Sequence, residues 1–155
     1  MTRIDFYLLP DNSGPAAGSV MATCKLCDKA TSTGRKVYVH TADATLAESL
    51  DGALWSFRQG SFISHEKHNG QSYEDPQPLV LIGSVEPPET HHSIMINLST
   101  EVPTFFSRFE RVLEIVDGDA ALRAKSRERY KFYKDGGYEL NTYEQNAEGG
   151  WAQRK

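Results

Sequence analysis

The stretch 36-KVYVHTADATLAESL-50 changes its hydrophobic period halfway along, which indicates a strand that leads into a helix. Residues 36–42 are rich in β-branched and aromatic side chains, as is typical of a buried strand. Asp43 is a good N-cap for a helix that extends to about residue 56. The apolar side chains that this helix is expected to bury are Leu46, Leu50, Ala53 and Leu54.

Short apolar runs elsewhere in the chain predict further strands. Three of them are bounded by turn residues and read as buried strands, at residues 4–9, 79–84 and 94–98. The run 62-FISH-65 predicts a shorter strand, and the polar residues after it are typical of a loop. The run 110-ERVLEIV-116 fits a helix or a strand, and its β-branched residues favour a strand.

Two more helices complete the alternation. One is predicted at about residues 16–32, and the other at about residues 120–134, capped by Asp117 or Asp119. Strands that alternate with helices are typical of βαβ units with helices on both faces of the sheet. The predicted fold class is therefore α/β, a single three-layer α/β/α domain with a mostly parallel central sheet.

The predicted domain covers residues 1–141, and residues 142–155 are expected to form a flexible C-terminal tail. The domain resembles nucleotide-binding folds but lacks a P-loop, because 10-PDNSG-14 after the first strand has neither GxGxxG nor GxxxxGK[ST]. We therefore expect no nucleotide site of this kind, and we expect no metal and no cofactor.

The composition is that of an ordinary globular domain, with 39% hydrophobic and 25% charged residues in a chain of 155. No apolar run approaches the length of a membrane span, and the N-terminus does not resemble a signal peptide, so we expect a cytoplasmic protein. Cys24 and Cys27 have the spacing of a redox pair or half a zinc site. No second CxxC accompanies them, which favours structural cysteines.

The charge is distributed unevenly along the chain. Residues 121–134 contain six cations and a single anion, Glu128, so this segment carries a net charge of +5. The net charge of the whole chain is −4, so the remaining residues together carry −9. Proteins that coat nucleic acid broadly are usually basic overall. One basic island on an acidic chain instead favours a small anionic partner.

The cations of this island recur at helical spacing. Positions 123, 127, 131 and 134 share one stripe, where like charges cost about 0.2–0.5 kcal/mol per pair. Arg127 has the chemistry to clamp a carboxylate, with Tyr130 and Phe132 as an apolar wall. Alternatively, the stripe is a solvated face whose last cations complement the helix dipole, although Arg123 and Arg127 lie too far upstream for this.

Aromatic residues form a second cluster, in 54-LWSF-57 and 61-SFISH-65. Trp55 and Phe57 adjoin positions assigned to the core face of their helix. The pattern therefore fits an exposed protein interface and an edge of the core equally well.

Several of these segments together resemble the chi subunit family of bacterial DNA polymerase III. The resemblance is collinear across nearly the whole chain, and its most specific segment is 127-RERYKFYKDGGYELNT-142. The other matching segments are FYLL at 6–9, ALW at 53–55, SFISH at 61–65, INL at 96–98 and RFERVLEIVD at 108–117.

The resemblance implies a non-catalytic accessory subunit of the clamp-loader complex. Its implied partners are the acidic C-terminal tail of single-stranded-DNA-binding protein, which ends in a Phe carboxylate, and the psi subunit or an iron–sulfur repair helicase. The peptide-binding residues that it implies are Val116, Arg123, Arg127, Tyr130 and Lys131. The residues that it implies for psi or the helicase are Trp55 and Phe62.

Two other functions remain open from the residues. A nucleic-acid-processing enzyme would need clustered carboxylates for a metal, and the close candidates are Asp117 and Asp119. A direct single-strand binder would stack bases on Tyr130, Phe132 and Tyr133.

Overall fold

The computed structural model describes residues 2–10, 17–57, 63–146 and 150–154. The α-helices of this part of the chain are α1 (Ala17–Ser32), α2 (Ala44–Ser56) and α3 (Ala120–Asp135). The strands are β1 (Arg3–Leu8), β2 (Val37–His40), β3 (His65–His68), β4 (Val80–Gly83), β5 (Ile94–Asn97), β6 (Arg111–Val116), β7 (Glu139–Gln145) and β8 (Trp151–Gln153).

The eight strands form one sheet in the order β3-β4-β2-β5-β6-β1-β7-β8. Every neighbouring pair is parallel except β7 and β8, which pair antiparallel. The mostly parallel sheet predicted from the alternation of strands and helices is therefore confirmed. The run at 110–116 is a strand, as its β-branched residues indicated.

The helices cover both faces of the sheet, which confirms the three-layer architecture. The core on one face contains side chains of α1 and α2, among them Leu26, Leu50 and Leu54, against alternate residues of the strands. The core on the other face contains Tyr133 of α3, together with Phe6 of β1 and the opposite set of strand residues. Successive residues of a strand point to opposite faces, so each inner strand contributes to both cores.

The residues that begin two helices act as expected. Asp43 accepts hydrogen bonds from the backbone N–H groups of Thr45 and Leu46, at 2.9 and 3.2 Å. Of the two candidates for α3, Asp119 is the N-cap, and its carboxylate accepts from the N–H of Leu122 at 3.0 Å. These bonds satisfy backbone donors that the first turn of a helix leaves without partners.

The two cysteines are buried in the core of the α1 face, as free thiols. Burial raises the pKa of Cys24 to about 11, and it also raises the pKa of Cys27. A thiol that stays protonated is a poor nucleophile and a poor metal ligand, so both side chains act as small apolar residues.

The structure differs from the sequence prediction at the two edges of the sheet. β3 begins at His65, whereas a strand was predicted at 62–65 and a loop after it. The boundary placed after residue 141 falls inside β7, and residues 142–145 and 151–153 lie in strands of the sheet. Strands at and next to the edge of a sheet are held largely by backbone hydrogen bonds, so polar sequences form them without an apolar pattern; here these are HEKH in the edge strand β3 and ELNTYEQ in β7, which lies next to the edge strand β8.

Candidate functional site

Helix α3 packs on the sheet through a narrow set of side chains. Ser126, Arg129 and Tyr133 are buried, and they lie three to four residues apart on one face of the helix. Arg127, Tyr130 and most other side chains of α3 are exposed. The helix therefore presents a polar, cationic surface beside the sheet and anchors itself through an arginine and a tyrosine.

The anchor of α3 is a buried ionic network around Glu114 of β6. One carboxylate oxygen of Glu114 accepts from Nε of Arg129 at 3.0 Å, and the other accepts from the Tyr133 hydroxyl at 2.6 Å. Nδ2 of Asn97 donates to the same second oxygen at 3.0 Å. Arg129 also donates to the carbonyl oxygen of Thr100 at 3.1 Å. Burial raises the pKa of Glu114, and the charge of Arg129 opposes this rise.

This network removes one cation from the island identified in the sequence. Arg129 is only 6% exposed and its charge is compensated by Glu114, so it is unavailable to an outside anion. Arg123 is half-buried, and its guanidinium donates to the carbonyl oxygen of Leu9 at 2.9 Å. Fewer cations of this segment are therefore accessible to a partner than the sequence count of +5 indicates.

A cavity of about 510 Å³ lies between α3 and strands β1, β7 and β8. Its apolar side chains are Phe6, Leu8, Tyr130 and Leu140. Its cations are Arg127 on the helix side and Arg154 just after β8. The ring of Tyr130 packs edge-on against that of Phe6 with centroids 5.4 Å apart, which fixes the aromatic wall of the cavity.

A second cavity, of about 340 Å³, continues from the first because both include Leu8 and Arg154 in their walls. Its other charged residues are Arg123 and Glu144. We call the two cavities together the α3 groove. The groove combines an apolar floor with three arginines, which is the arrangement that recognises an apolar side chain beside a carboxylate.

The structure brings together some of the predicted peptide-binding residues and separates others. Arg127 and Tyr130 line the first cavity, and Arg123 lines the second. Lys131 is exposed on α3 but lines neither cavity. Val116 is 2% exposed and lies in the core beside Leu8, its register partner on the neighbouring strand, so it packs next to the floor of the groove without lining either cavity.

Three apolar side chains and one arginine are among the groove residues that sequence reasoning did not assign to the site. Phe6 and Leu8 lie on alternate positions of β1, which was read only as a buried strand. Leu140 and Arg154 belong to the region of β7 and β8, whose strands were not predicted. The alternation in 4-IDFYLL-9 was the available signal, since Phe6 and Leu8 must share one face.

The second predicted surface lies far from the α3 groove. Trp55 is 64% exposed at the end of α2, and its ring packs edge-on against His65 of β3, with centroids 5.4 Å apart. Five strand spacings separate β3 from β1, about 24 Å at 4.8 Å each. Phe62, the other residue assigned to this surface, lies outside the described residues.

The described residues contain no cluster of three or more His, Cys, Asp or Glu side chains arranged to hold a metal ion. Of the two carboxylates considered for an enzyme, Asp119 is engaged in capping α3. Within the same part of the chain, no helix has the length and apolar character needed to cross a membrane.

Comparison with known proteins identifies the family to which the chain belongs. A sequence model of the family described as "DNA polymerase III chi subunit, HolC" matches residues 1–141. The chain belongs to this chi subunit family. It is therefore a component of the DNA polymerase III complex, which acts in DNA replication.

Curated relatives agree with the family assignment. The chain is 39% identical to DNA polymerase III subunit chi of Pseudomonas aeruginosa over 143 residues, covering 92% of this chain and 96% of the relative. It is 28% identical to subunit chi of Escherichia coli K12 over 144 residues, covering 92% and 97% of the two chains. The family match ends at residue 141, so β8 and Arg154 lie beyond it.

The fold of this chi-family chain also occurs in a protein of another kind. The crystal structure of T4 UvsW superposes with a TM-score of 0.63 at 9% identity, over 92% of this chain. The chain spans only 42% of that larger protein. At this identity the likeness concerns the fold alone.

Proposed function

We propose that the α3 groove binds the acidic C-terminal tail of single-stranded-DNA-binding protein, and so links coated single strands to the clamp loader of DNA polymerase III. The observation that carries this proposal is the position of Arg127 beside the apolar floor of a cavity of about 510 Å³. A peptide that ends in phenylalanine offers both an apolar ring and a carboxylate. The groove offers an apolar floor for the ring and the guanidinium of Arg127 for the carboxylate.

The apolar floor of the groove binds the phenylalanine ring of the peptide. The terminal ring enters the space beside Phe6, Leu8 and Tyr130, where it is removed from water. The terminal carboxylate then accepts hydrogen bonds from Arg127, whose planar guanidinium suits two parallel bonds to one carboxylate. Arg127 is exposed and extends from a helix that the Glu114 network holds in place.

The distribution of charge also supports an acidic peptide over a nucleic acid duplex. The chain carries −4 overall, so its long-range field repels a long polyanion. The three arginines of the groove provide a local positive region for a short acidic segment. Because the contacts are few and partly exposed to solvent, we expect a dissociation constant in the micromolar range, about 1–100 μM. The affinity should fall as salt is added, because salt screens the exposed charges.

The test of this proposal is a titration with two fluorescent peptides. Each contains three aspartates, an apolar residue and a C-terminal phenylalanine, and one ends in a free carboxylate while the other ends in an amide. We expect saturable binding of the free acid and at least about tenfold weaker binding of the amide, because a charged hydrogen bond contributes about 1.5–3 kcal/mol. Equal binding of both peptides, or binding of neither to a folded sample, would contradict an arginine–carboxylate clamp.

We further propose that Trp55 belongs to the surface that contacts psi or an iron–sulfur repair helicase. A large aromatic side chain that is 64% exposed is typical of an interface anchor. A cavity of about 450 Å³ beside it is lined by Tyr73, Pro76 and Pro78, among others, which would accept apolar side chains of a partner.

Trp55→Ala is expected to weaken binding of this second partner by tenfold or more, about 1.4 kcal/mol, because truncation of an aromatic anchor commonly costs 2 kcal/mol or more. Peptide binding should stay unchanged, since the α3 groove lies over the distant end of the sheet. Pull-down with psi and the peptide titration measure the two activities on one sample. Loss of both activities would show that Trp55 supports the fold.

A further inference from the structure

We infer that Arg154, together with Glu144, sets how strongly the α3 groove selects for acidic residues upstream of the peptide terminus. This inference rests on the proposed function, because it names the part of the peptide that a second region of the same groove reads. Arg154 lies beyond the family match at 1–141. The selectivity is therefore a property of the C-terminal strand pair of this chain.

The backbone places Arg154 on the correct face of the sheet. Its N–H donates to the carbonyl oxygen of Thr142 at 2.7 Å, which extends the antiparallel pairing of β7 and β8 by one step. Side chains of an antiparallel pair that face each other lie on the same side of the sheet. Arg154 therefore shares a side with Thr142, and its side chain lines both cavities of the groove.

The spacing of the arginines matches an extended peptide. Arg123 precedes Arg127 by four residues of helix, about 6 Å along the axis. Two residues of an extended peptide span about 7 Å. A peptide with its terminal carboxylate at Arg127 consequently brings the side chain two residues upstream to the second cavity, where Arg123 and Arg154 are found.

Glu144 opposes the same interaction. Its carboxylate lies 3.3 Å from Nε of Arg154, and it lines the second cavity beside Arg123. An acidic peptide side chain must compete with Glu144 for Arg154 and is repelled by it. Glu144 thus acts as an internal competitor that occupies the arginine when the groove is empty and lowers the affinity for acidic residues.

The two residues lead to opposite expected results. Arg154→Ala should weaken binding of the acidic free-acid peptide by about twofold to fivefold, since an exposed ion pair contributes about 0.2–1 kcal/mol. Glu144→Gln should strengthen it by about twofold to threefold. A peptide whose aspartates are replaced by asparagine should bind both variants and the wild-type chain equally.

The matched control is the ion pair between Arg35, which precedes β2, and Glu110, which precedes β6. Its nitrogen–oxygen distance is also 3.3 Å, and Arg35 is exposed to an extent similar to that of Arg154. Arg35→Ala and Glu110→Gln change the net charge identically but lie outside the groove. Neither should change binding of either peptide.

The outcomes separate this inference from the function on which it rests. If the wild-type chain binds the acidic peptide and Arg154→Ala binds it equally well, Arg154 does not read the upstream residues and this inference is wrong. If Arg154→Ala weakens the acidic and the asparagine peptides alike, the residue acts on the shape of the groove and not on charge. If the wild-type chain binds neither peptide, the proposed function fails first.

Discussion

Arg127→Ala is expected to lower the affinity for the acidic free-acid peptide by about 10- to 100-fold. The substitution removes the only donor in the first cavity that we pair with the terminal carboxylate, and a charged hydrogen bond contributes about 1.5–3 kcal/mol. The fold should be unaffected, because Arg127 is exposed on α3 and alanine is the best helix former. Peptide titration and thermal unfolding measure the two effects on the same protein.

Two further variants make the Arg127 result specific. Lys125→Ala removes one exposed cation from the same helix outside the groove, so it reports the effect of net charge alone and should change affinity less than about twofold. Arg127→Lys keeps the charge but loses the planar pair of donors, so we expect an intermediate affinity. Equal losses in Arg127→Ala and Lys125→Ala would indicate nonspecific attraction.

Glu114→Leu is expected to lower the free energy of unfolding by about 3–5 kcal/mol, the usual cost of breaking a buried ion pair from one side. The substitution leaves the charge of Arg129 buried without its carboxylate, and it removes the acceptor of the Tyr133 hydroxyl and of the Asn97 amide. For a domain of this size, each kcal/mol lowers the thermal midpoint by about 2–4 °C. Calorimetry on the folded variant measures the change.

Glu110→Gln is a suitable control for Glu114→Leu, because Glu110 is an exposed carboxylate next to the same strand and should change stability by less than about 1 kcal/mol. If Glu114→Leu costs no more than this control, the network does not hold α3. If the fold survives, peptide binding should weaken as well, since Arg129 and Tyr133 position the helix that carries Arg127.

The stability of the Arg129→Met variant as a function of pH is a second test of the Glu114 network. Burial holds the pKa of Glu114 above its ordinary value, and loss of the arginine charge raises that pKa further. The folded state then binds more protons than the unfolded state, so stability falls as pH rises above the ordinary carboxyl range. Arg129→Met should therefore lose more stability at neutral pH than at pH 4–5. A cost that is independent of pH would mean that Glu114 does not titrate in this range.

The fold class could be predicted because local patterns report it. Stretches such as 36–50 contain a strand period, a capping residue and a helix period in succession, and few architectures accommodate such units in series. The caps at Asp43 and Asp119 follow from the same local chemistry. The resemblance to the chi family was confirmed by the match over residues 1–141.

The edge strand β8 was missed, and β3 was predicted about three residues too early, for a physical reason. β3 is held by backbone hydrogen bonds to the parallel strand β4, and β8 by backbone hydrogen bonds to the antiparallel strand β7. The side chains of both strands carry little apolar periodicity, so the sequence gives little sign of them. Trp151 packs edge-on against Tyr7 with centroids 4.9 Å apart, a contact between opposite ends of the chain. No local pattern encodes such a contact.

The sequence was sufficient to place Arg127 and Tyr130 on one cationic helix, because helical periodicity states which residues share a face. It could not state that Arg129 of the same helix points inward, since that depends on the buried carboxylate of Glu114 on a neighbouring element. Nor could the sequence predict the groove, because the residues that line it come from four elements, β1, α3, β7 and β8. Periodicity describes one element at a time, whereas a binding site depends on which elements the fold makes neighbours.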